Sequence, residues 1–273
     1  MTVKEMKKEL LEKERYNVDD LLTVVEVLRS PEGCPWDREQ DHKSIRKDLI
    51  EETYEVIEAI DTENPVLLRE ELGDLLLQVA FHTRIETENG RFDMDDVAND
   101  VCVKLIHRHP HVFGDVMADT SEKVLVNWEK IKSEEKDRKT VTDKLKAIPP
   151  MLPALMRAEK VGKKASCFDF PDAASVMAKL REETDELDEA IGTGSVEKME
   201  EEVGDLLLSV TSLCRKMKVD PEVALNKATD KFIGRFEAIE KEVISSGLDI
   251  NDLSMEQLDA IWDKNKEKNG KKQ

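Results

Sequence analysis

Four acids in the first half of the chain, Glu52, Glu55, Glu71 and Asp74, recur in the second half as Glu183, Glu186, Glu202 and Asp205. Every pair differs by 131 residues (183 − 52, 186 − 55, 202 − 71, 205 − 74). The flanking strings agree too: EETYEVIEAI at 51–60 with EETDELDEAI at 182–191, and EELGDLLLQV at 70–79 with EEVGDLLLSV at 201–210. Equal spacing across two strings and the turn between them reads as one helical hairpin written twice. A solvated acidic face requires neither the repeat nor glutamates set among leucines.

The helical phase of these acids decides what they can do. At about 100° per residue, with Leu49 at the centre of an apolar stripe, Ile45, Val56 and Ile60 fall within roughly 40° of it. Glu52 lies about 60° away and Glu55 about 120°, on the same side, while Glu51 and Glu58 point to solvent. In the next helix Leu67, Leu68 and Leu75 bracket Glu71, with Asp74 three residues on. Gly73 stands between them, where a missing side chain would let another group approach. Folded antiparallel, the helices set four carboxylates face to face. Two like charges 4 Å apart repel by about 4 kcal/mol at an effective dielectric of 20. Either their pKa values rise or cations fill the space. All-oxygen donors suit hard cations, Mg²⁺ or, as a substitute, Mn²⁺.

A di-iron centre would need ExxH pairs. The matching positions here hold acids, and His42 and His82 are out of phase with them. His107, His109 and His111 in HRHPHVF suggest a transition-metal cluster, but Pro110 breaks the helix between them.

Cations for a phosphate ligand are present in matching order. Lys231 and Arg235 share a helix face at i, i+4, and Lys104 and Arg108 do so in the first half. Each pair is followed by a tryptophan with a lysine four residues on: Trp128 and Lys132, then Trp262 and Lys266. The bland readings, a solvated face and a core tryptophan, weaken when the order repeats. No GxxxxGK[ST] loop and no GxSxG elbow occurs, so phosphate binding through a P-loop and serine hydrolysis find no support.

The elements that position these groups are helices. The 273 residues are 38% charged and 4% aromatic, with 11 Gly and 9 Pro. No run alternates β-branched and aromatic residues, so the chain reads as all-α. Helices are expected at 19–30, from Asp41 to Asp61, from Pro65 after an Asn64 cap to Glu88, from Asp93 to near Pro110, and from Thr120 or Ser121 to Lys136. The second half should carry helices at 152–165, 172–191, 195–217, 221–245 and 254–268, with Ser195 as a cap. The stretch 137–155 holds three prolines and divides the chain into tandem helical bundles, 1–140 and 141–273. The net charge of −19 repels nucleic acid polymers and anionic membranes. No stretch approaches the roughly 18 apolar residues of a membrane span, and the N-terminus lacks an apolar signal core. Cys34, Cys102, Cys167 and Cys214 are widely spaced and read as reduced thiols of a cytoplasmic protein. A hairpin apolar on more than one face wants a partner, and a homodimer is expected.

The run GCPWDREQDHKSIRKDLIEETYEVIEAI, followed by EELGDLLLQVAFH and RHPHVFG, resembles the MazG family of nucleoside triphosphate pyrophosphohydrolases. The resemblance covers nearly the whole chain, tandem arrangement included. It implies the all-α NTP pyrophosphatase fold and Mg²⁺-dependent hydrolysis of a nucleoside triphosphate to a monophosphate and pyrophosphate. It implies metal ligands at Glu183, Glu186, Glu202 and Asp205, and in the first half at Glu52, Glu55, Glu71 and Asp74. Of these, Glu52, Glu55, Glu183 and Glu186 are the candidates for the catalytic role. Phosphate and base contacts fall on Lys231, Arg235, Trp262 and Lys266, with Lys179 and Lys198 as weaker nucleotide contacts. Phe170, in CFDFPD, stands where such proteins often carry tryptophan. Both halves keep all four acids; the proline turn after Arg108 tilts the expectation of activity towards the second half. The alternative from another class is a non-catalytic acidic adaptor or nucleotide sensor. Relatives of the fold that hydrolyse dUTP or phosphoribosyl-ATP lack support in the CPWD and RHPHVF strings.

Overall fold

The structure, a computed structural model, describes residues 1–135 and 140–270, with side chains described as far as residue 263 at the C-terminal end. It divides into two compact units, Met1–Ile131 and Lys132–Gln273. Among the described residues there is no strand.

In the first unit α1 (Val3–Leu11), α2 (Val18–Arg29) and α3 (Pro35–Glu39) lead to the hairpin α4 (Arg46–Asp61) and α5 (Pro65–Glu88). Then come α6 (Met94–Arg108), the short α7 (Pro110–Phe113) and α8 (Ser121–Glu135), which runs across the boundary between the units. The helix expected from Asp41 begins instead at Arg46. Asp41 Oδ1 accepts from the amides of Lys43 and Ser44, a local turn that competes with helix. Ile45, just ahead of α4, is buried with Val25, Ala80, Phe81 and Ile85, and this cluster welds α2 and the start of α4 to the far end of α5.

Within the GCPWDREQ stretch, which lies between the helices expected at 19–30 and from Asp41, Pro35–Glu39 forms the short helix α3, held by a buried guanidinium. Arg29 donates from Nη1 to the carbonyls of Asp37 (2.7 Å) and Gln40 (3.0 Å) and pairs through Nη2 with Glu88 (2.9 Å). Gly33 permits the tight reversal before it: an added Cβ would lie 2.1 Å from the Val27 carbonyl oxygen.

In the second unit α9 (Val141–Lys146) and α10 (Ala154–Lys164) precede the second hairpin, α11 (Ala173–Thr193) and α12 (Val196–Met217), and α13 (Pro221–Ser245) and α14 (Met255–Gly270) complete it. α9 lies in the proline-bearing stretch 137–155, where no helix is expected before 152, and is capped by a reciprocal pair of bonds between Thr140 and Asp143. α10 and α13 both pack on α12.

Both hairpin turns form as their capping residues suggest. Asn64 Oδ1 accepts from the amides of Val66 and Leu67, and Ser195 Oγ from that of Lys198. At the matching positions before these caps (194 − 131 = 63), Glu63 has φ +51° and Gly194 has φ +68°. One predicted stripe position differs in outcome. Ile60 is exposed, as are Ile50, Tyr54 and Ile57, while Ala59 is the residue buried at this end of α4.

Candidate active site

Each hairpin converges three glutamates. Carboxylate oxygens of Glu52, Glu55 and Glu71 lie within 4.8 Å of one another, and so do those of Glu183, Glu186 and Glu202. The α4–α5 and α11–α12 packing produces this from the phase seen in the sequence: Glu71 is 9% exposed and Glu183 only 4%. Asp74 and Asp205 stand outside these groups of three. Asp74 is still near enough to act on Glu52 and Glu71. Among the described residues nothing lies within 4 Å of the position a Cβ would take on Gly73, so no described group uses the gap expected there, and the same space is open at Gly204.

The electrostatics show the strain of like charge. Burial pushes the Glu52 carboxyl up, followed by the charges of Asp74 and Glu55. Glu71 is pushed up by burial, then by Glu55, Glu70 and Asp74. In the second unit burial raises Glu186, Lys179 pulls it back down, and Glu183 and Glu202 push it up again.

Lys179 has a place that sequence reasoning missed. Its Nζ donates to Glu182 Oε1 at 2.7 Å and pairs with Glu183 Oε1 at 2.8 Å, and these two acids raise its ammonium above the ordinary lysine value. The residue at the matching position in the first unit is Asp48 (179 − 131). Among the described residues no lysine or arginine pairs with Glu52, Glu55, Glu71 or Asp74.

Whether the residues suit a cation can be judged from Glu183. Its Oε2 is buried and has no hydrogen-bond partner, while Oε1 takes Lys179. A buried carboxylate oxygen facing other carboxylates needs a proton or a cation. The donor set is oxygen only, which fits a hard divalent ion. Glu183, Glu186 and Glu202, with the matching first-unit acids, are therefore a suitable set.

The basic and aromatic positions gather separately. The Arg235 guanidinium carbon lies 5.8 Å from the Trp262 ring centroid, and Phe232 packs against Trp262 at 5.4 Å. Phe236, Ile239, Met255 and Leu258 complete an apolar pocket of about 340 Å³ beside Trp262. In the first unit Arg108 lies 5.3 Å over Trp128. Lys104 and Lys231 are exposed on α6 and α13. Lys198, in the first turn of α12, borders a groove with Glu186, Glu201 and Glu202. Lys132 is the first residue of the second unit, and the Lys266 side chain lies outside the described residues. Within the second unit, no hydrogen bond or ion pair among the described residues joins the Arg235–Trp262 group to the glutamates.

His42 and His82, out of phase with the acids, meet each other. Their Nδ1 atoms are 2.8 Å apart, and His42 Nε2 is 2.5 Å from Glu86 Oε1. Arg91 pairs with the other Glu86 oxygen at 2.8 Å, and burial followed by His42 pushes His82 below the usual histidine value. Forty residues separate the pair, and no local pattern announces it. Ala173 and Leu213 occupy the matching positions in the second unit, so this clamp is a first-unit feature. His107, His109 and His111 form no cation-sized group among the described residues.

The model of the MazG nucleotide pyrophosphohydrolase domain matches the chain twice, at residues 40–113 and 172–239. The chain belongs to the MazG family. It is 46% identical over 250 residues to the nucleoside triphosphate pyrophosphohydrolase/pyrophosphatase MazG of Thermotoga maritima, covering 91% of this chain and 95% of that one. It is 43% identical to the nucleoside triphosphate pyrophosphohydrolase of Escherichia coli K12, over 90% and 95% of the two chains. YabN of Bacillus subtilis is 40% identical over 90% of this chain and 50% of its own length. Each matched MazG segment contains one whole hairpin with its four acids, so the tandem all-α arrangement is a doubled MazG domain.

Proposed function

We propose that this protein hydrolyses nucleoside and deoxynucleoside triphosphates to the monophosphate and pyrophosphate, in the cytoplasm, with Mg²⁺. The observation that carries this reading is the buried, unpartnered Oε2 of Glu183 within a group of three convergent glutamates. The names of the two relatives similar along almost their whole length agree with it.

In this reading Glu183, Glu186, Glu202 and Asp205 hold the ion, as do Glu52, Glu55, Glu71 and Asp74 if the first unit also works. Bound Mg²⁺ supplies charge neutralisation and Lewis acidity at phosphate oxygens. Glu186 or Glu183, or Glu55 or Glu52 in the first unit, accepts the proton of the attacking water. The water oxygen bonds to the α-phosphorus as the bond to the α–β bridging oxygen breaks. Pyrophosphate leaves, its charge met by Lys231 and Arg235. Trp262 offers a ring face for the base, with Arg235 held over it and Lys266 one turn on. Trp128, Arg108 and Lys104 would do the same for the first unit, with Lys132 one turn past Trp128 on α8, and Lys179 and Lys198 reach the phosphates from the hairpin. Two chains pair in this proposal, which is supported by the exposed row of Ile50, Tyr54, Ile57 and Ile60.

The test is to incubate the protein with each common triphosphate and Mg²⁺ and identify the products. Monophosphate with pyrophosphate is expected, and EDTA should abolish it. Diphosphate with orthophosphate would assign a different hydrolysis. Binding without any product would favour the sensor reading.

A further inference from the structure

The two hairpins share their acids and turn length, but one carries its own cation and the other does not. Lys179 sits one helical turn before Glu183 and pairs with it at 2.8 Å. Asp48 holds that place before Glu52, so the first unit adds a fifth acid where the second has an ammonium.

Among the described residues, an ion entering the first group meets only carboxylates, with no lysine or arginine to displace. An ion entering the second shares Glu183 with Lys179, and two cations on one carboxylate repel. Lys179 has somewhere to go: its side chain is 32% exposed, on the rim of the group, and a phosphate oxygen would serve its ammonium as well as Glu183 does. A triphosphate arriving there draws Lys179 off Glu183 and so favours the ion, and by linkage the ion favours the triphosphate equally.

We propose that the two glutamate groups take up divalent cation by different routes: the first directly, the second in step with nucleotide, through transfer of Lys179 from Glu183 to the nucleotide's phosphates. This rests on the reading of both groups as cation sites.

Mn²⁺ binding to the whole chain, followed by electron paramagnetic resonance, tests it without turnover. Two classes of site are expected in the absence of nucleotide, the tighter one lost in Glu52→Gln/Glu71→Gln. The uncleavable α,β-methylene-ATP should tighten the weaker class by about tenfold. In Lys179→Met that class should already be tight, and nucleotide should then add about twofold or less. Asp48→Lys should weaken the first class by about tenfold, and it keeps the test available if Lys179→Met does not fold. The proposal is overturned if both substitutions leave affinities unchanged, or if the tight class disappears with Glu183→Gln instead. A different result would overturn the underlying reading itself: Mn²⁺ binding that survives when Glu52, Glu71, Glu183 and Glu202 are all glutamine, or no binding at all.

Discussion

The first hairpin, α4–α5, and the second, α11–α12, place three glutamates each in the same register, yet they relieve the resulting repulsion differently. In the first, Glu52 and Glu71 are both pushed towards protonation by burial and by neighbouring acids. In the second, Lys179 answers part of the charge and leaves one oxygen of Glu183 without a partner. The flanks differ as well. Arg215, at the position of Arg84 (215 − 131), grips Asp169 with two bonds of 2.6 and 2.7 Å, while Arg84 pairs with Glu26 and Glu88. The duplicated scaffold keeps the acids alike and the counter-charges unlike, which separates what the proposed cation site needs from what the fold needs.

The largest effect that can break this comparison is on turnover. Glu183→Gln should lower kcat/KM by about 10³-fold, and Glu52→Gln by less, if the second hairpin carries most of the chemistry. Equal losses in steady-state assays of the two variants would make the halves functionally equivalent.

A smaller effect concerns stability. Asp169 is held well below the usual carboxylate range by its bonds from Arg215, with Lys216 adding to them against the cost of burial. A carboxylate with a depressed folded pKa stabilises above its unfolded value, and that contribution is lost as pH falls through the folded value. Asp169→Asn should therefore cost about 2 kcal/mol at pH 7, and progressively less below about pH 4. Urea unfolding at both pH values, with hydrogen exchange assigning the change to the second unit, checks this. A cost independent of pH would mean that shape, not charge, holds the loop.

The smallest effect sharpens the match between the turns. Glu63 adopts a left-handed conformation that Gly194 adopts without a Cβ penalty. Glu63→Gly should stabilise the first unit by about 1 kcal/mol, and Gly194→Ala should destabilise the second by about as much. Thermal melts that move the same way in both variants would show the turns to be unlike.

The carboxylate groups could be read from sequence because glutamates at apolar phase violate a helix's usual pattern, and their repetition at one spacing removes chance. Helix termini marked by Asn64, Asp93 and Ser195 were equally readable, since capping is local chemistry. Asp41 misled for the same reason: its side chain closes a turn, five residues ahead of the first residue of the helix it seemed to start. His42 with His82, and Arg29 with Glu88, depend on elements meeting across tens of residues, and no periodicity encodes such meetings. The role of Lys179 was hidden because an i, i+4 lysine beside acids looks like any exposed helix pair until the burial of Glu183 is known.

The two connecting turns also bear on how such a chain can be rebuilt. Glu63 and Gly194 reverse the backbone at one and the same point of the repeat, so the acids on both pairs of arms stand at the same distance from the turn. That makes each hairpin a cassette: a hybrid gene carrying either one twice would keep every arm in step, and would reveal which traits travel with the hairpin and which stay with its surroundings.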